Sequence, residues 1–325
     1  MRTAWLGIRM GLCVLLLFAV IFAFLFLIAT LTGRGTPEVF AVLAFVVVGI
    51  QFFIGPKIVE RSMRVRYVSE REQPELHRMV SELAMKAGIP KPRVGISEIP
   101  IPNAFAFGTS KKKARVCITR RLMEMLKRDE IEAVLGHELS HIKNRDMAVI
   151  TALSVIPMIC YFIYFSFFWS GIFGGGRNRE GALPMMAIAL IAFVVYFISN
   201  LIVLYASRIR EYYADAGSAE LTRKPHELAS ALYKMIYGSA GARQEKVKKE
   251  IGSMRAFFAA DPITARNDLK DLRAADLDRN GKIDEYELKA FAERAKVSHA
   301  DRLMELFSTH PNPVSRVKRL GLYLY

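Results

Sequence analysis

The chain has 325 residues, enough for one large or two modest domains, and is 52% hydrophobic and 24% charged, which excludes a disordered chain and is unusual for a soluble one. A net charge of +15 and a pI near 9.8 suit either a nucleic-acid binder or a membrane protein with basic cytoplasmic faces; long apolar runs, and no interleaved aromatic and basic motif, favour the membrane. The three cysteines, Cys13, Cys117 and Cys160, form no Cys-x-x-Cys, which excludes a disulfide framework and fits a reducing compartment.

Arg2 and Arg9 precede an uncharged run from Met10 to Gly33. It exceeds the roughly 20 residues that cross a bilayer and the 7–15-residue core of a cleaved secretory signal. A second run follows at 39–55, and the two read as a membrane hairpin over residues 1–56. Residues 57–146 are polar. Pro74 opens a helical pattern that Gly88 and Pro90 close. Arg93–Ser97, Ala104–Thr109 and Ala114–Thr119 read as short strands. Asp129 is the expected N-cap of a helix carrying Ile131, Val134, Leu135 and Leu139. Apolar runs at 147–173 and 183–206, broken by Gly174-Gly175-Gly176-Arg177, form a second expected hairpin. Residues 207–325 are polar and mainly helical in pattern. Lys and Arg crowd the segments beside 56–146 and after 206, which places both polar regions in the cytoplasm and the two short connections outside.

On the expected helix stands His137-Glu138-Leu139-Ser140-His141. Histidines at i and i+4 share one helical face and suit Zn²⁺, and the carboxylate between them can accept a proton from a water. Five residues alone can match by chance on an amphipathic helix. A third ligand is sought after the fourth apolar run, where Glu211 and Asp215 again share a face. His141 precedes Met147 by six residues, about 9 Å of helix, and Glu211 follows Ala206 by five, about 7–8 Å. A two-span hairpin between them returns both segments to the same membrane side. His77, His226 and His299 have no motif partners and read as ordinary helix or surface residues.

Together with Asn103-Ala104-Phe105-Ala106-Phe107-Gly108, the run 132–146 around the two histidines, the segment Arg208–Asp215 and Phe307-Ser308-Thr309-His310-Pro311, this pattern resembles the HtpX-type integral-membrane zinc metalloproteases, related to the type I CAAX prenyl proteases. The resemblance covers most of residues 1–240 and 303–325. It implies an α+β membrane protein: four transmembrane helices with a mainly helical, zincin-like catalytic domain and a small β-sheet, built from 57–146 and 207–325. It implies one catalytic zinc on His137, His141 and Glu211, with Glu138 as base and His310 as a transition-state donor. Asp215 is expected to orient a ligand histidine, and Arg316 to pair with one of these carboxylates. Asn103, Ala104, Phe105, Ala106 and Phe107 are expected to hold an extended substrate by strand addition. The implied activity is endoproteolysis of membrane or misfolded polypeptides, as quality control at the cytoplasmic face of the cell membrane, with no nucleic-acid partner. A dedicated CAAX-type processing protease and a catalytically silent calcium-sensing scaffold are the alternatives; the presence of Glu138 speaks against the second.

Residues 276–287 match the twelve-residue EF-hand loop at its demanding positions. Asp276, Asp278 and Asn280 offer side-chain oxygens, Lys282 its carbonyl, Asp284 a direct or water-bridged oxygen, and Glu287 two oxygens, while Gly281 permits the turn. Residues 262–298 read as an insertion that binds Ca²⁺.

Overall fold

The computed structural model describes residues 36–173, 182–240, 272–295 and 305–324, with isolated residues 8, 12, 15, 16, 19 and 303. The chain divides into two compact units, one of residues 1–55 and 148–207, the other of residues 56–147 and 208–325.

In the first unit, the run expected at 10–33 lies outside the described residues. The run at 39–55 lies within α1 (Thr36–Ser62). The third run begins as α5 (Asp146–Leu153) and continues as α6 (Val155–Phe173). The break between them has a local cause: Pro157 has no N–H to give the Leu153 carbonyl, and its ring crowds that group. The fourth run opens α7 (Ala182–Thr222), 41 residues long. Among the described residues, two stretches are long and apolar enough to cross a membrane, Asp146–Ile172 and Leu183–Thr222. At 1.5 Å per residue α7 is about 60 Å long, twice a bilayer's hydrocarbon core. Its apolar first half meets that need, and its polar second half, Arg208–Thr222, belongs to the second unit. Tyr161 packs against Tyr196 at 5.8 Å and Tyr164 against Phe193 at 5.4 Å between α6 and α7, with the rings tilted by 53° and 54°. Leu190, Val194, Phe197 and Ile198 of α7 stay exposed, as a lipid-facing helix requires.

The second unit is built on a four-stranded sheet of order β1-β2-β4-β3, with β1 (Val65–Tyr67), β2 (Arg93–Ser97), β3 (Ala104–Phe107) and β4 (Arg115–Thr119). β2 and β4 pair in parallel, Ile96 opposite Ile118; β3 closes the sheet antiparallel to β4, Ala104 opposite Ile118. β3 is therefore an edge strand. Its period-2 alternation sends Ala104 and Ala106 into the main core, while Phe105 and Phe107 stack at 5.9 Å in a smaller cluster with Met63 and Ile101. β1 has no signature in the sequence, because it has only three residues, one of them the exposed Arg66.

Helix α2 (Pro74–Ala87) starts on its proline and ends where Gly88 takes the left-handed conformation at φ 66°. Its 3.6-period face, Leu76, Met79, Val80 and Leu83, is buried. After the short α3 (Arg120–Met125) comes α4 (Arg128–Lys143). α4 begins two residues earlier than the sequence suggests, with Lys127 rather than Asp129 at the N-cap. The Glu130 carboxylate accepts the Lys127 N–H at 2.7 Å, and Asp129 instead pairs with Lys224 at 3.0 Å. Leu135 and Leu139 of α4, Leu232 and Ile236 of α8 (Pro225–Ala240), Leu288 of α9 (Glu285–Arg294) and Val317 of α10 (Pro313–Leu320) share one core with Ile96 and Ile118.

Candidate metal centre

Helix α4 carries His137 and His141 one turn apart on its buried face, their rings 4.8 Å apart and perpendicular. The two Nε2 atoms face each other at 3.2 Å. Glu211 on α7 reaches the same point, 3.6 Å from His137 Nε2 and 3.5 Å from His141 Nε2. One donor atom from each of the three lies within 4.8 Å of the others, so together they could hold a metal ion.

Two small-residue contacts let α7 approach α4 this closely. A Cβ placed on Gly217 would lie 2.8 Å from Ser140 Cβ, and one on Gly136 would lie 3.2 Å from Ser218 Oγ. The Ser218 hydroxyl also donates to the Ala133 carbonyl at 2.6 Å, tying the two helices. Gly217→Ala is expected to push the helices apart, with a loss of about 1–3 kcal/mol and weaker metal retention; Ser140→Gly should restore both. Thermal melting and metal content of the three proteins check this, and a Gly217→Ala protein equal to wild type in both would refute it.

The other ring nitrogen of each histidine meets an aspartate. His141 Nδ1 is hydrogen-bonded to Asp146 Oδ2 at 2.6 Å, and Asp146 pairs with Arg210 at 3.1 Å. His137 Nδ1 lies 3.0 Å from Asp215 Oδ1, an ion-pair contact that falls short of a well-aligned hydrogen bond. Both contacts favour the tautomer that leaves Nε2 free for a metal. Burial alone would push the His137 pKa down; Asp215 and Glu211 outweigh it and raise it to about 9. Asp215 is gripped by Arg316 of α10 through Nε at 3.0 Å and Nη2 at 2.7 Å, and the same guanidinium lies 3.5 Å from Glu211. Arg316 thus pairs with both acidic residues, and at 2% exposure it is among the largest fully buried side chains.

Glu138 is buried on α4 at 5% exposure. Burial raises the Cys117 thiol on β4 to about 12, with the charges of Glu60 and Glu138 adding to it and that of Arg115 opposing it. Asn103, fully buried at the head of β3, donates its N–H to the Thr119 hydroxyl at 2.9 Å and accepts the Thr119 N–H on its carbonyl at 2.8 Å. His310 Nε2 lies 4.0 Å from Glu211. Its Nδ1 is 3.0 Å from the Thr309 hydroxyl, and burial lowers its pKa. The Arg208 guanidinium holds the approach to His310 by donating to the Leu306 and Ser308 carbonyls at 3.2 and 2.8 Å. His77 and His226 lie elsewhere, beside Val68 and Glu227, and His299 is outside the described residues.

Asp146 and Arg208 have no role that spacing in the sequence reveals. Asp146 lies five residues beyond His141, off the helical repeat. It returns because Arg145 takes a left-handed φ of 56° and breaks the helix. The one available signal was a carboxylate directly after a ligand-bearing helix.

In the insertion, carboxylates of Asp276, Asp278 and Glu287 come within 4.8 Å of one another. Asn280 and Asp284 bond within the loop and at the helix that follows it. Asn280 donates to Asp278 at 2.7 Å, and Asp284 caps α9 by accepting the Glu287 N–H at 2.8 Å.

The profile of peptidase family M48 matches residues 70–322. A protease HtpX homolog of Methanothermobacter thermautotrophicus is 52% identical over 71% of this chain and 86% of its own length. One from Moorella thermoacetica is 38% identical over 98% of this chain and 94% of its own. The crystal structure of S. mikatae Ste24p shares the fold, with a TM-score of 0.55 at 17% identity, covering 98% of this chain and 67% of that one. With a buried His-Glu-x-x-His helix, an acidic third donor and helices that suit a bilayer, the chain belongs to peptidase family M48 and is a membrane metalloprotease.

Proposed function

We propose that the centre holds one zinc ion on His137, His141 and Glu211 and hydrolyses peptide bonds of membrane or misfolded polypeptides at the cytoplasmic face. The observation that carries this reading is the convergence of two Nε2 atoms and a carboxylate while an aspartate meets each Nδ1. Two imidazoles and one carboxylate are a donor set of catalytic zinc sites. Bound there, zinc would lower the pKa of a water toward about 7 and polarise the scissile carbonyl. Glu138 takes the proton of the attacking water and returns it to the leaving amine. His310 carries its proton on Nε2 when the Thr309 hydroxyl donates to Nδ1, and so is a neutral donor to the oxyanion, and the Asn103 side chain supplies a second donor. The β3 edge, Ala104–Phe107, takes the substrate backbone as an added strand. The cytoplasmic orientation rests on the Lys and Arg flanking the apolar runs.

The detergent-purified protein is expected to carry one zinc per chain and to cleave casein, and Glu211→Ala to lose both. Zinc binding must displace the His137 proton, so apparent affinity should rise about tenfold per pH unit up to about pH 9. Wild-type protein that cleaves casein after zinc is stripped would overturn the reading.

A further inference from the structure

We infer that residues 276–287 bind one Ca²⁺ ion through Asp276, Asp278 and Glu287, and that the ion braces α9 against α10, the helix that carries Arg316. Asp276 is only 6% exposed, and its two oxygens differ. Oδ2 accepts the Gly281 N–H at 3.1 Å, while Oδ1 is buried with no hydrogen-bond partner. The Tyr233 hydroxyl touches Asp276, its pKa raised first by burial, then by the charge of Asp276 and by their side-chain contact, but that contact falls short of the geometry of a hydrogen bond to Oδ1. A buried anionic oxygen left unpaired is costly, and a cation satisfies it.

Glu287 comes to the same place from the other end of the loop. Its Oε1 accepts the Leu277 and Asp278 N–H groups at 2.7 and 3.2 Å, and its Oε2 accepts the Asp284 N–H at 3.0 Å. Those bonds hold the carboxylate over the loop, within 4.8 Å of Asp276 and Asp278. Gly281 supplies the turn at φ 79°, and Ile283 is fully buried in the core of the second unit. Every donor is a hard oxygen, with no nitrogen or sulfur to favour zinc. Closing on the ion, the loop would add Asn280, the Lys282 carbonyl and Asp284 from its remaining EF-hand positions to make seven oxygens, a number Ca²⁺ accepts and the strictly octahedral Mg²⁺ does not.

The loop also couples to the helices beyond it. Glu287 stands in the first turn of α9, whose Leu288 and Phe291 are buried. Gly321, just past α10, sits so close that a Cβ there would be 3.1 Å from the Leu288 carbonyl. Lys318 of α10 donates to the Ala295 carbonyl at 2.6 Å. Fixing Glu287 on an ion therefore stiffens the support on which Arg316 reaches Asp215.

Calorimetry and thermal melting of the full-length, zinc-loaded protein in detergent test this without using activity, so the result is independent of the proposed protease mechanism. Ca²⁺ is expected to bind with a Kd of about 10⁻⁵ M and, at about 100-fold excess over Kd, to raise the melting temperature by about 5 °C. Asp276→Asn should weaken binding at least tenfold and abolish the shift. Asp278→Ala, at an exposed loop position that a folding defect would spare, should weaken binding as well. No heat and no shift in wild type at about 5 mM Ca²⁺, an equal response to Mg²⁺, or both variants responding as wild type does would each overturn the assignment.

Discussion

Glu138→Gln is expected to lower casein cleavage by about 10²–10⁴-fold, the usual worth of a positioned general base, while the protein keeps its full zinc content and melting temperature. The substitution preserves shape and burial and removes only the capacity to take a proton. None of the three donor atoms is touched, because His137, His141 and Glu211 converge without Glu138. Glu138 is 5% exposed, so a glutamine amide fills the same space. Glu138→Asp keeps the charge but withdraws it by one methylene, and should also lose most activity, since proton transfer needs hydrogen-bond reach. Casein fragmentation and zinc content measured on one preparation separate chemistry from metal loss. Undiminished cleavage by the glutamine protein would mean that the base is elsewhere.

What the sequence reveals of this centre follows from helical geometry. His137 and His141, and Glu211 and Asp215, are each spaced i and i+4, and a helix turns that spacing into a shared face. The strands at 93–97 and 104–107 and the helix from Pro74 to Gly88 are equally local, being written in alternation, a proline and a glycine. The parts that could not be read depend on contacts across the chain or on a break in the repeat. Arg208 reaches carbonyls about a hundred residues away. Asp146 swings back only after the left-handed turn at Arg145. The start of α4 at Arg128 was decided by Glu130 reaching back to the Lys127 N–H, a competition between two plausible caps that spacing does not rank. Gly136 and Gly217 look unremarkable in sequence, and only the crossing of two helices separated by some eighty residues explains them.

The second large effect is expected at Arg316. Arg316→Met should destabilise the protein by about 3–5 kcal/mol, the cost of stranding one partner of a buried ion pair, and lower zinc affinity about 10–100-fold, as removal of a group that orients a ligand does. The geometry explains both effects. Arg316 is 2% and Asp215 1% exposed, and two hydrogen bonds join them. Once the guanidinium is gone, Asp215 keeps its charge in a buried site and turns more fully on His137, whose Nδ1 is already 3.0 Å away. Glu211, 3.5 Å from Arg316, loses a counter-charge in the same step. The double variant Arg316→Met with Asp215→Asn provides the decisive comparison, because it removes the stranded charge. It should recover part of the lost stability, giving a coupling well above the ~0.5 kcal/mol expected of independent sites. It should not recover zinc affinity, since asparagine leaves the His137 tautomer without its acidic partner. Melting and zinc titration of the four proteins in the cycle measure both quantities. Additive losses in stability would show that Arg316 fills space beside the centre rather than neutralising the carboxylates that shape it.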